Sequence, residues 1–156
     1  WLIGLFGLLL MVGAWCGLMS VRQMPYGEFW LLWLLVLTTA TDVGAFFSGR
    51  MFGRRKLAPS LSPGKTWEGA WGGAVVASSI CLVALFVFSD WPIFNAVTLT
   101  LGLIVMAIFG DLFESLLKRA TGLKDSGGLL PGHGGVLDRI DSIIAVAPLL
   151  AWALIT

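Results

Sequence analysis

Apolar residues fall in five long blocks along this chain, separated by short polar stretches. A helix needs about 20 mostly apolar residues to cross the hydrocarbon core of a bilayer. The blocks run from Trp1 to Ser20, Phe29 to Phe47, Gly69 to Ser89, Phe94 to Arg119 and Ile140 to Thr156. The fourth stays apolar to Phe109 and then continues in helical pattern. Together they predict about five transmembrane helices in one membrane-embedded domain over 1–156, an all-α polytopic integral membrane protein. Gly13 and Gly17 stand at GxxxG spacing in the first block, and Gly69, Gly73, Ala74 and Ala77 line the third. Small residues at such spacings suit close helix contact in lipid, where packing drives association. Trp30, Trp67, Trp71 and Trp91 lie near span ends and are expected to form an interfacial belt.

Composition agrees with that pattern. Of 156 residues, 58% are hydrophobic and 12% charged, and the mean hydropathy is +0.92. A soluble domain carries about 25% charged residues, so a soluble enzyme, a nucleic-acid binder and a disordered tail are excluded. Cys16 and Cys81 sit inside apolar runs with no His or Cys at metal-ligand spacing, and are read as packing residues. The opening run has neither a basic start nor a small-residue cleavage site, so it is not a signal peptide. Because the chain begins with Trp1, it reads as an N-terminally truncated segment of a longer protein.

The charges are placed unevenly. The segments after the second and fourth spans, with their flanks, hold nine of the ten basic residues, and only Arg22 lies opposite. The positive-inside rule puts that side in the cytoplasm. Asp42, Glu68, Asp111, Glu114, Asp125, Asp138 and Asp141 belong to the same side or the adjacent half of a span. A solvated loop accounts for Asp125 and Glu68. It does not account for Asp42 or Asp111, each preceded by residues that belong in the membrane, where an ionised carboxylate usually faces a partner or a polar cavity.

Asp111, Glu114 and Lys118 recur at helical spacing and share one helix face. Asp138 and Asp141 stand three apart at the start of the last span, with Arg139 between them. Carboxylates from different helices could therefore meet just inside one interface, as hard oxygen ligands suited to Mg²⁺ and substrate phosphates. Helix-end salt bridges are the competing reading of the same spacing. Between these helices runs KDSGGLLPGHGG, whose glycines free the backbone to approach an anion closely. Lys124 and His133 would add side-chain donors there. Upstream, Gly64-Lys65-Thr66 invites a Walker reading, but that motif needs glycine where Pro59 stands and a preceding strand, and none is expected. What remains is a basic loop entering the third span, in which Arg54, Arg55 and Lys56 could simply meet anionic lipid heads.

Three blocks carry a family resemblance. Ser115 to Arg119 (SLLKR), Lys124-Asp125, Leu130 to Gly135 (LPGHGG) and Asp138-Arg139-Ile140-Asp141 together resemble the signature of phosphatidate cytidylyltransferases, also called CDP-diacylglycerol synthases. Ser62 to Gly69 (SPGKTWEG) resembles a second block of that family, and Asp42 with Gly49-Arg50 a third. The resemblance implies transfer of CMP from CTP to phosphatidate, with Mg²⁺ required and pyrophosphate released, in a bacterial cytoplasmic (inner) membrane. It implies metal ligation by Asp111 and Asp138, with Asp141 and Asp42 as further candidates. Lys124 and Arg139 join Asp111 and Asp138 as implied catalytic residues. Lys65, Ser62, Thr66, Lys118, Arg119, His133 and Gly134 are the expected contacts to substrate. Membrane lipid surrounds the protein, no nucleic acid is expected, and a homodimer is one open assembly. Two other readings stay open: a CTP-dependent kinase of a lipid alcohol, which would release CDP, and a fragment of a cation transporter, whose site would lie nearer the midplane.

Overall fold

The computed structural model describes residues 2–120, 122 and 137–155. It contains α1 (Leu2–Gln23), α2 (Gly27–Phe52), β1 (Lys56–Ala58), β2 (Ser62–Thr66), α3 (Trp67–Phe88), α4 (Ile93–Ala120) and α5 (Leu137–Ile155). Four helices, α1 to α4, are long and apolar enough to cross a membrane, and the apolar stretch of α5, Ile140–Ile155, is shorter. The helical blocks read from hydropathy are thus present, each extended by a few residues. At ~1.5 Å per residue, the 28 residues of α4 span about 42 Å, more than the ~30 Å hydrocarbon thickness. Lys118 and Arg119 occupy its last turn. Phe46, Trp71, Val83, Phe86 and Phe109 point outward, the inverse of a water-soluble surface.

The most extensive helix pair is α2 with α3, and small residues make it so. A Cβ at Gly73 would lie 2.5 Å from the Thr41 carbonyl oxygen, one at Gly69 2.8 Å from that of Ala45, and one at Gly72 would strike Ser48. Gly44 completes the seam, its would-be Cβ 3.0 Å from the Cα of Gly73. Only glycine permits that backbone approach, and dispersion across the seam replaces the hydrophobic drive absent in lipid. On the other flank α5 packs against both α1 and α4. Of the expected GxxxG pair, Gly17 meets the backbone of Ala147 and Pro148, whereas Gly13 faces open space.

Between these flanks a core forms from Trp33, Leu34, Leu37, Ala77, Cys81, Leu103, Ile104, Val146 and Leu150. Its few polar groups are satisfied: Trp33 Nε1 donates to the Cys81 carbonyl at 3.1 Å, and Thr41 and Thr100 donate to carbonyls one turn back. Trp30 departs from its expected place in the belt. It is buried and packs on Trp33 and Trp91, because the first turn of α2 tucks under the α3–α4 connection. Trp67 and Trp71 are exposed, as a belt requires. Cys81 lies in the core, but Cys16 is exposed on α1.

One expectation is overturned. A strand does precede the Gly64-Lys65-Thr66 triplet: β1 and β2 form an antiparallel hairpin pairing Lys56 with Thr66 and Ala58 with Ser62. The hairpin still provides no Walker loop, since the triplet lies inside β2 and α3 begins at Trp67. An isolated two-stranded hairpin is marginal, and this one is pinned to the helices. Trp67 N–H donates to the Arg55 carbonyl at 3.0 Å, and Thr66 Oγ1 caps α3 by accepting from Gly69 N–H at 3.1 Å. Arg119 Nε reaches the Leu61 carbonyl from the end of α4 at 3.5 Å.

Candidate functional site

The C-terminal halves of α2 and α4 and the N-terminal turns of α3 and α5 surround a chamber of about 590 Å³, with the hairpin across its mouth. Alternating helix direction places these four ends together, and each contributes charged or small residues. From α2 come Thr41, Asp42, Gly49 and Arg50; from α4 come Asp111, Glu114 and Lys118; from α5 comes Asp141. The hairpin adds Ser62, Gly64, Lys65 and Thr66. At ~1.5 Å per residue, the stretch from Asp111 to Ala120 is about 14 Å long and that from Asp42 to Phe52 about 15 Å. Asp42 and Asp111 therefore lie well back from the ends of their helices.

Asp111, Glu114 and Asp141 form the centre. One carboxylate oxygen from each lies within 4.8 Å of the other two. Lys65 forms an ion pair with Asp111, and Lys118 Nζ with Glu114 Oε2 at 2.9 Å. Asp141 accepts from the backbone N–H of Ser142 at 2.6 Å. Glu114 is buried, and its Oε1 has no hydrogen-bond partner among the described residues. Three carboxylates this close are unfavourable unless protons or cations offset their charge, and Lys65 and Lys118 supply part of that offset. The donor set would suit a metal cation: it is all oxygen, the ligand type a hard divalent cation such as Mg²⁺ takes.

Helical period alone predicts the shared face of Asp111, Glu114 and Lys118, and the structure shows it. Asp141 joins that face from α5, and Asp42 of α2 lines the same chamber. Lys65, Ser62, Thr66 and Lys118 line the same chamber, and Arg119 is directed instead to the hairpin turn. Thr66 has a structural task as the α3 cap. Lys124, His133 and Gly134 lie outside the described residues; Asp138 and Arg139 belong to α5, but their side chains are outside them too. Sequence reasoning put Glu114 on the shared face but did not name it as a candidate ligand with Asp111 and Asp141, whose carboxylates it approaches. The available signal was its spacing, three residues after Asp111.

Glu68 was also misread, as a solvated loop acid. Its carboxylate accepts from Arg54 N–H at 3.1 Å and from Arg55 N–H at 3.2 Å. It thereby ties the end of α2 to the start of α3, closing the base of the hairpin that carries Lys65. Replacing Glu68 with alanine is expected to make Arg54 and Arg55 several-fold more sensitive to limited trypsin digestion, whereas Glu68→Gln, which keeps an acceptor oxygen, should stay near wild type. Equal digestion of both variants and the parent would remove this role.

Comparison with known proteins points the same way as the geometry. The chain is 46% identical over 154 residues to the phosphatidate cytidylyltransferase of Pseudomonas aeruginosa, covering 94% of this chain and 56% of that protein. It is 47% identical over 138 residues to the enzyme of that name from Haemophilus influenzae, covering 82% of this chain and 46% of the relative. With that of Brucella suis it shares 45% over 126 residues, covering 81% and 47%. The chain thus spans about half the length of the curated relatives it matches. The family model described as the cytidylyltransferase family matches residues 1–156, the whole sequence. An acid- and lysine-lined chamber among membrane helices and a match along the full chain agree: the chain belongs to the cytidylyltransferase family.

Proposed function

We propose that the full-length protein transfers CMP from CTP to phosphatidate, giving CDP-diacylglycerol and pyrophosphate, with the chamber as its active site. In the reaction a phosphatidate phosphate oxygen forms a bond to the α-phosphorus of CTP. The bond from that phosphorus to the oxygen bridging to the β-phosphate breaks, and its electrons leave with pyrophosphate. The phosphate is already an anionic nucleophile, so no general base is compulsory. The demand on the protein is to hold two polyanions together and to offset charge on the leaving group.

The observation that carries this reading is the convergence of Asp111, Glu114 and Asp141 opposite Lys65 and Lys118. Lys65 and Lys118 bind phosphate oxygens in this reading, and Arg50 of α2 lines the same chamber. The three carboxylates, with Asp42 and, from the resemblance, Asp138, would hold Mg²⁺. When bound, the ion neutralises phosphate charge and orients the reacting groups. Lys124, Arg139, His133 and Gly134 are further proposed phosphate contacts, and Arg119 braces the hairpin. By the excess of Lys and Arg at this end, the chamber faces the cytoplasm. CTP then enters from water, and the lipid phosphate arrives at the headgroup plane.

The test is a CTP-plus-phosphatidate assay on the purified full-length chain, with Mg²⁺ withdrawn as control. Pyrophosphate and CDP-diacylglycerol formed only with Mg²⁺ are the expected products. Release of CDP would assign a CTP-dependent kinase instead. Ion flux in proteoliposomes without CTP turnover would assign a transporter.

A further inference from the structure

A second cavity, of about 680 Å³, lies on the opposite side of the acidic cluster. Its floor is α5, which packs against both α1 and α4, while those two helices scarcely approach each other. Phe6 of α1 and Phe113 of α4 meet edge to face, ring centroids 5.6 Å apart, and span the gap. Phe6, Leu10, Met11, Phe109, Leu149 and Trp152 supply much of the apolar lining, and Glu114 and Asp141 are its only charged residues among the described ones. Those two also line the polar chamber, so both cavities end on the same pair of carboxylates.

We propose that the groove between α1, α4 and α5 holds an acyl chain of the phosphatidate substrate, with the lipid phosphate at its Glu114–Asp141 end. The inference rests on the cytidylyl-transfer reading and adds where the lipid lies. A pure hydrocarbon would fill the apolar walls and leave carboxylates facing it, an unfavourable contact. A lipid with an anionic phosphate places its tail on the walls and its head in the chamber, where Lys65 and Lys118 stand. From Asp141 to Trp152 the groove runs about 16 Å along α5. Chains shorter than that leave part of it unfilled.

Gly7 makes the proposal testable. It borders the groove, yet a Cβ added there meets nothing within 4 Å, so a large side chain has room to enter the groove without striking backbone. Gly13 has the same freedom on α1 but does not border the groove, which makes Gly13→Phe the matched control.

In the full-length protein, Gly7→Phe is expected to lower kcat/KM for dioleoyl phosphatidate by about tenfold or more, the loss of roughly two buried methylenes' worth of contact. Dioctanoyl phosphatidate should fall by much less, and Gly13→Phe should match wild type on both. A phosphatidate with a photoreactive acyl chain should label α1, α4 and α5 in wild type and lose that labelling in Gly7→Phe. An equal fall on both substrates, or none on either, overturns the proposal. So does equal labelling by a phosphatidylcholine carrying the same chain, which would mean bulk bilayer lipid fills the groove. If wild type turns over neither phosphatidate, the cytidylyl-transfer reading fails and the labelling alone decides the groove.

Discussion

Asp111→Asn in the full-length protein is expected to reduce Mg²⁺-dependent turnover by about 10²–10³-fold, the usual loss when one preorganised electrostatic contact to developing charge is removed. The substitution keeps the shape of the side chain and deletes its charge, so both the proposed cation site and the Lys65 ion pair are affected. Unfolding would not account for such a loss. Lys65 and Asp111 are 25% and 30% exposed, and an ion pair that reaches solvent contributes no more than about 1 kcal/mol. Thermal unfolding in detergent should therefore shift little while the Mg²⁺ concentration needed for half-maximal binding, read by calorimetry, rises. A variant within tenfold of wild-type turnover, with unchanged Mg²⁺ binding, would take Asp111 out of the metal site.

Lys65→Ala should have the next largest effect, about 10²-fold in kcat/KM for CTP, because it removes a cation set against the acidic cluster by the hairpin. The two substitutions are distinguishable. Loss of Lys65 should leave the Mg²⁺ requirement in place and weaken use of CTP. Loss of Asp111 should alter the Mg²⁺ requirement itself. Lys65→Arg is expected to recover part of the activity, since the charge returns on a bulkier, planar group. Unchanged CTP kinetics in Lys65→Ala would reject the phosphate contact and leave the ion pair as a structural feature.

Two cavities meeting on shared carboxylates give the site a division of labour. The chamber side carries Arg50, Lys65 and Lys118 beside its carboxylates; the groove side is mainly aromatic and aliphatic. In the proposed reaction a water-soluble triphosphate and a membrane-bound phosphate come from different phases, and two sides that differ in this way would suit both. The glycine seam between α2 and α3 fixes the spacing of the chamber wall that bears Asp42. Its rigidity thus bears on the chemistry as well as on the fold.

Much of this was legible from residue order. The apolar blocks became helices because a backbone in lipid must satisfy its hydrogen bonds within the segment, which leaves little conformational choice. The shared face of Asp111, Glu114 and Lys118 followed from helical period, and Gly69 and Gly73 announced close packing by their spacing. The misreadings have a common cause. The hairpin has strands of 3 and 5 residues, too short for a periodic signal, and rests on bonds from Arg55 and Arg119. Trp30 sits near a span end like any belt residue, and packing against neighbours such as Trp33 and Trp91 buries it. Glu68 resembles a loop acid until the end of α2 is brought to it.

By itself, then, the order of residues determined the membrane-spanning helices, the side on which charge gathers and the family to which the motifs point, because each depends on local composition or on spacing within one segment. Tertiary structure alone decided which carboxylates meet, that Glu114 is among them, that Lys65 is held against Asp111 and that an apolar groove opens behind the acids. Those facts depend on distances between residues far apart in the chain, such as Asp111 and Asp141, or Lys65 and Asp111. Helix packing sets such distances, and no period within a single helix encodes them.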